Sequence, residues 1–180
     1  CLVGSEMCIR DSMNTDTIEK NWNTYKTILN RLEDKNIDSM LENLGQRLCI
    51  APANHNNKMY GCYPGGIVVT STKLAKAMQA LNDFHGAPVN IKSVYKIGLL
   101  HDIGRIGTID EDWLLPQDSD WHREKLGNEY KMNTELPKMS FLHRTLLILN
   151  QFQIKFSQEE FTALVSLEDR EAKNTLGALL

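Results

Sequence analysis

The sequence predicts an all-α fold: a single bundle of six to seven helices interrupted by one long polar loop. Three observations carry that expectation. Apolar residues recur at i, i+3, i+4 and i+7 in segment after segment, the spacing that gathers them on one helical face. No segment shows the strict apolar–polar alternation of a half-buried strand. Ala87–Ile91 is short and holds Pro88, and Ile67–Thr70 fits a helix start better. Finally, residues from Thr108 to about Pro137 lose all periodicity and are rich in polar side chains, with Pro116, Asp118 and Asp120.

The helices follow in order. Asp16-Thr17-Ile18-Glu19 reads as an N-cap with a capping carboxylate three residues on. Ile18, Trp22, Tyr25, Ile28, Leu29 and Leu32 then mark a first amphipathic helix. Ile37, Met40, Leu41, Leu44 and Leu48 mark a second, with Gly45 near its end. A loop rich in Pro, Gly and Asn runs from Cys49 to Gly66. The third helix is expected from about Ile67 to Leu81, carrying Leu74, Ala77, Met78 and Leu81 inward. Gly86 and Pro88 punctuate the turn that follows. Ile91, Val94, Tyr95, Ile97, Leu99 and Leu100 form a fourth helix. After the long loop come helices at about Lys138–Gln153 and Ser157–Asp169, the second opened by the capping box Ser157-Gln158-Glu159-Glu160. Gly177-Ala178-Leu179-Leu180 begins a further helix.

A chain of 180 residues fits one domain with a sizeable core. Net charge is −3, so no basic excess points to duplex nucleic acid. The longest apolar runs, such as Leu146–Leu149, are far too short to span a membrane. None of the four cysteines (Cys1, Cys8, Cys49, Cys62) forms a C-x-x-C knuckle, and a reducing cytoplasm is the expected compartment. The first twelve residues, Cys1 to Ser12, lack periodicity and the basic start of a secretory signal. They resemble translated sequencing-adapter sequence found at the ends of reading frames from environmental DNA. On that reading Met13 is the natural start, residues 13–180 are the domain, and the chain is open to truncation after Leu180. The alternative is a genuine short tail.

The chemistry concentrates in Leu99-Leu100-His101-Asp102-Ile103-Gly104-Arg105-Ile106-Gly107. An apolar helix ends in a His-Asp pair, then a glycine and a base. Imidazole and carboxylate are a good ligand pair for a divalent transition metal. Gly104 lets the backbone turn away, and Arg105 sits one turn on, within reach of a phosphate oxygen. The plainer reading is a capped helix end with a surface His-Asp contact. The segment resembles the signature of the HD-domain superfamily of metal-dependent phosphohydrolases.

Ala51-Pro52-Ala53-Asn54 and Tyr63-Pro64-Gly65-Gly66-Ile67-Val68 resemble the APAS…YPGGLVEHS stretch of phage-type HD proteins, those of T4-like and marine phages. The resemblance implies an all-α fold and a nucleotide or other small phosphoester substrate. It also implies a metal (Mn, Mg, Zn or Fe) held by His101, Asp102, an earlier His and a late Asp. For a phage-encoded chain it implies the host cytoplasm. Asp102 and Arg105 are then the catalytic candidates. Here the sequence departs from the pattern. The earlier His falls at Thr70, whose neutral hydroxyl is a poor transition-metal ligand. His55 and His85 lie off that helix and read as surface residues. The late candidates are Glu168 and Asp169, at the end of the sixth helix.

Gln117-Asp118-Ser119-Asp120-Trp121-His122-Arg123-Glu124-Lys125 packs many functional groups together. His122, Arg123 and Lys125 are candidate phosphate-binding residues, with Trp121 placed to stack on a base. Alternatively the charges cap one another and Trp121 anchors the loop to the core. His143, near Phe141 and Leu146, is either a pocket residue or a satisfied core histidine. Two functional expectations remain open. One is a phosphohydrolase-like protein with an incomplete metal site. The other is a non-catalytic nucleotide-binding or regulatory protein on the same fold.

Overall fold

The computed structural model describes residues 14–169 and 172–180; the tail expected over residues 1–12 and the start at Met13 lie outside the described residues. The fold is largely helical. Its α-helices are α1 (Thr15–Asn30), α2 (Lys35–Ile50), α3 (Gly66–Phe84), α4 (Ile91–Leu100), α5 (Phe141–Gln151), α6 (Gln158–Asp169) and α7 (Thr175–Leu179). A 3₁₀ turn, Ile103–Ile106, follows α4 directly. No helix among the described residues is long and apolar enough to cross a membrane.

Helix starts follow from their caps. The cap of α1 is Asn14 rather than Asp16: its side chain accepts from the Asp16 N–H at 3.3 Å. Asp16 instead sits in the first turn, where a carboxylate complements the helix dipole. The expected box at α6 is present. Glu160 N–H donates to Ser157 Oγ at 3.1 Å and Ser157 N–H donates to Glu160 Oε2 at 3.0 Å.

The inward face of α3 differs from the expected one. Ile67, Val68, Ser71, Ala75, Met78 and Asn82 are buried, whereas Ala77 and Leu81 are exposed. The sequence reading followed the larger apolar side chains. The actual seam runs along small ones, because α4 approaches closely there. A Cβ built on Gly98 would stand 2.8 Å from Ala75 Cα, so glycine sets the distance between the two helices. Asn82 holds the turn between them, donating to Val89 O at 3.0 Å and accepting from Val89 N–H at 3.1 Å.

The long polar region is also not structureless. It contains an antiparallel pair of strands, β1 (Leu114–Pro116) and β2 (Tyr130–Met132), with Leu114 opposite Met132. Strands of three residues are too short to show alternation, and Pro116 ends the first, so the sequence pattern could not announce them. One π-type turn, His122–Leu126, connects them. The Asn-rich loop after α2 is laced to this region. Asn56 Nδ2 donates to Leu126 O at 2.8 Å, Asn57 N–H donates to Gly127 O at 2.8 Å, and Tyr130 N–H donates to His55 O at 3.2 Å.

The main core joins α1, α2, the end of α4 and α5 around Tyr25, Leu29, Ile37, Met40, Leu44, Leu99, Ile103 and Leu149. Within it the Tyr25 hydroxyl donates to Leu99 O at 2.9 Å, fixing the last turn of α4. A second cluster of Met78, Val94, Ile97, Leu142, Leu164 and Leu176 seats α6 and α7. Lys96 on α4 pairs with Glu160 on α6 at 2.9 Å, both side chains almost fully covered. That pairing positions the far end of α6 over the residues that follow α4.

Candidate functional site

The last turn of α4 delivers His101, whose N–H donates to Ile97 O at 2.9 Å. Its Nδ1 lies 3.0 Å from Gly98 O. A carbonyl only accepts, so Nδ1 carries the proton and Nε2 presents a lone pair. Burial pushes the imidazole below its ordinary range; the Asp102 charge opposes this without prevailing. His101 is therefore neutral near pH 7, and its Nε2 stands 3.7 Å from Asp102 Oδ2.

Asp102 turns instead to Arg105, whose Nε donates to Oδ2 at 2.7 Å. The same guanidinium donates through Nη1 to Ala53 O and through Nη2 to the Tyr60 hydroxyl, each at 3.0 Å. Its carbon lies 4.3 Å from the Phe141 ring centre and 5.7 Å from that of Tyr60. Both members of the Asp102–Arg105 pair are largely covered, at 14% and 13% side-chain exposure. Salt-bridge geometry of this quality in low dielectric binds two chain segments as well as two charges.

Gly104 explains why the segment after His101 fits under α5. Its N–H donates to Thr145 Oγ1 at 2.9 Å, and that hydroxyl donates to His101 O at 3.0 Å. A Cβ at Gly104 would meet Phe141 O and Thr145 N at 2.5 Å. Gly104→Ala is accordingly expected to push α5 off the His101 segment and to destabilise the protein by about 1–3 kcal/mol, the usual cost of overpacking. Urea unfolding measures this; an unchanged midpoint would refute the packing described.

This segment borders a cavity of about 340 Å³. Tyr60, His101, Asp102, Arg105, Ser140, Phe141, Leu142, Leu167 and Glu168 line it. An open groove of about 790 Å³ also crosses α1, α3 and α4, but its lining (Asp16, Glu19, Lys20, Arg31 and Lys76 among others) is of mixed charge and gathers no catalytic set.

The other sequence candidates lie elsewhere. Thr70 does not line the cavity. Its hydroxyl donates within its own helix, 2.8 Å from Gly66 O and 3.1 Å from Ile67 O, and its methyl faces Gly61. His143 is exposed, with Nε2 3.7 Å from Glu168 Oε2 just outside the cavity. His122 Nδ1 bonds Ser119 Oγ at 2.8 Å, and Arg123 bonds Asp120 and Gln117 O. These contacts are local, so His122 and Arg123 cap their own turn, and Lys125 is exposed. Trp121 is 58% exposed and stacks edge-on with His122, so it does not anchor the loop to the core. His85 is exposed at the end of α3, beside Phe84. The Asp169 side chain lies outside the described residues.

Sequence reasoning missed Tyr60 and the pocket roles of Ser140 and Leu167. An aromatic directly before Gly61 in a Pro/Gly-rich loop was the available signal for Tyr60.

The fit to a metal can be tested on the donors themselves. Asp102 Oδ2 is engaged by Arg105, and Thr70 is turned into its helix. Among the described residues no three His, Cys, Asp or Glu side chains converge as a metal cluster. Structural and catalytic sites ordinarily use at least about three protein ligands. The residues as placed do not make such a site. Compared with protein-family models, curated proteins and solved structures, the chain matches none.

Proposed function

We propose that this chain is an HD-type helical protein that binds a nucleotide-class small molecule in the cavity at His101 and does not hydrolyse it efficiently. The observation that carries this reading is the commitment of Asp102 to Arg105 beside a neutral His101, in a cavity walled by Tyr60 and Phe141. A few fixed polar groups among aromatic walls are the ordinary make-up of a small-molecule site. Neutral His101 offers an acceptor, Arg105 offers its remaining donors, and the rings offer stacking surface. Hydrolysis of a phosphoester needs an activated water and a strong charge at phosphorus. Arg105, neutralised by Asp102, supplies little of the second.

One observation favours a second reading, the phosphohydrolase that the HD resemblance implies: Glu168, a carboxylate on a late helix, lines the same cavity as His101 and Asp102. A single preparation separates the two. After dialysis, the protein is expected to hold well below one equivalent of Mn, Zn or Fe. With added Mn²⁺ it is expected to release no phosphate from nucleoside monophosphates above background, while nucleosides or nucleotides raise its melting temperature. Tight metal with turnover would establish the phosphohydrolase instead. Absence of any thermal shift across the panel would remove both readings.

A further inference from the structure

We propose that the cavity recognises its ligand through the nucleoside, and that a phosphate on that ligand weakens binding. The proposal rests on the nucleotide-class reading above and narrows it. The argument is one of charge and hydrogen-bonding sense. Asp102 and Arg105 face each other at 2.7 Å and cancel. Glu168 then adds a carboxylate to the lining, where among the described residues Arg105 is the one cation and is already paired. His143 Nε2 stands 3.7 Å from it, outside the lining. His101 adds an acceptor, since its Nδ1 proton is directed at Gly98 O. Ser140 Oγ already accepts the His143 N–H at 3.2 Å.

Among the described residues the charged groups of the lining, Asp102, Arg105 and Glu168, leave a net negative charge, and His101 Nε2 and the Glu168 carboxylate are acceptors. It suits a partner that brings N–H and O–H groups on a flat ring. Ribose or deoxyribose hydroxyls and exocyclic base amines are such groups, and the Tyr60 and Phe141 rings provide surface for the base. A phosphate brings negative charge and no donors at neutral pH, and the Glu168 carboxylate repels it. The volume of about 340 Å³ is at the small end of ligand pockets, room for a nucleoside.

The test measures binding of adenosine, guanosine, cytidine and thymidine beside their 5′-monophosphates, in EDTA, by calorimetry and by the fluorescence of Trp113, which packs edge-on against Phe141 with ring centres 4.6 Å apart. At least one nucleoside is expected to bind roughly tenfold or more tightly than its monophosphate. Raising the salt concentration is expected to strengthen the monophosphate and leave the nucleoside unchanged, because the repulsion is screened. Glu168→Gln, at an exposed position, is expected to narrow the gap between nucleoside and monophosphate.

A monophosphate that binds as tightly as its nucleoside without metal overturns this inference and leaves the nucleotide-class reading standing. So does a Glu168→Gln protein in which both ligands move together. Binding of an organic amine such as spermidine in place of any nucleoside would assign the negative lining to a cation and overturn it as well. Absence of all nucleoside and nucleotide binding overturns the underlying reading with it.

Discussion

Glu160→Gln is expected to destabilise the protein by about 3–5 kcal/mol, the range for breaking a buried ion pair from one side. Burial alone would push the Glu160 carboxyl up. Hydrogen bonds from Lys96, the Ser157 N–H and Ser93, with the Lys96 charge, outweigh that and hold it below its usual range. The substitution leaves Lys96, 14% exposed, without a carboxylate and weakens the cap of α6. A depressed carboxyl contributes stability that is fully present above its unfolded value of 4.5. That contribution fades as pH falls through the lower folded value. The wild-type advantage over Glu160→Gln is therefore expected to be constant from pH 8 to 6 and to shrink below the unfolded value. Urea unfolding across that range checks both size and sign; an advantage that grew in acid would contradict the assignment.

Arg105→Met carries the second large effect, also about 3–5 kcal/mol. It leaves Asp102 covered and unpaired, and it frees Ala53 O and the Tyr60 hydroxyl from their donor. Adding Asp102→Asn removes the stranded charge and is expected to restore more than about 1 kcal/mol, the mark of residues that interact directly. If the double variant is merely the sum of the singles, the pair does not act as a unit. Loss of ligand binding in Arg105→Met with retention in Arg105→Lys would tie the same guanidinium to the cavity.

Much of the helical architecture was legible because it rests on local signals. The apolar stripe of Ile37, Met40, Leu41, Leu44 and Leu48 is buried as spaced, and the Ser157–Glu160 box caps α6. What failed to show in the sequence depends on partners distant in the chain. The buried face of α3 is chosen by Gly98 on α4, a residue with no side chain to register in a hydrophobic pattern. The strands Leu114–Pro116 and Tyr130–Met132 exist because they pair with each other, not because either alternates.

The site divides in the same way. The sequence pointed to His101, Asp102 and Arg105 as neighbours, and they line one cavity. It could not tell that Asp102 would be held by Arg105, nor that Glu168 would line the same cavity. Nor did it separate His122 and Arg123, satisfied by Ser119, Asp120 and Gln117, from residues with donors to spare.

The cavity takes its walls from Tyr60 in the loop after α2, His101 after α4, Phe141 on α5 and Glu168 at the end of α6. No contiguous stretch of chain contains it. Contacts this distant in sequence must close long loops before they repay the entropy of doing so. The cavity is therefore expected to form late in folding, with the docking of α6 through Lys96 and Glu160, after the more local α1–α2 and α3–α4 pairs. A ligand bound there is then expected to act chiefly on unfolding, slowing the departure of α6 and leaving the folding rate unchanged.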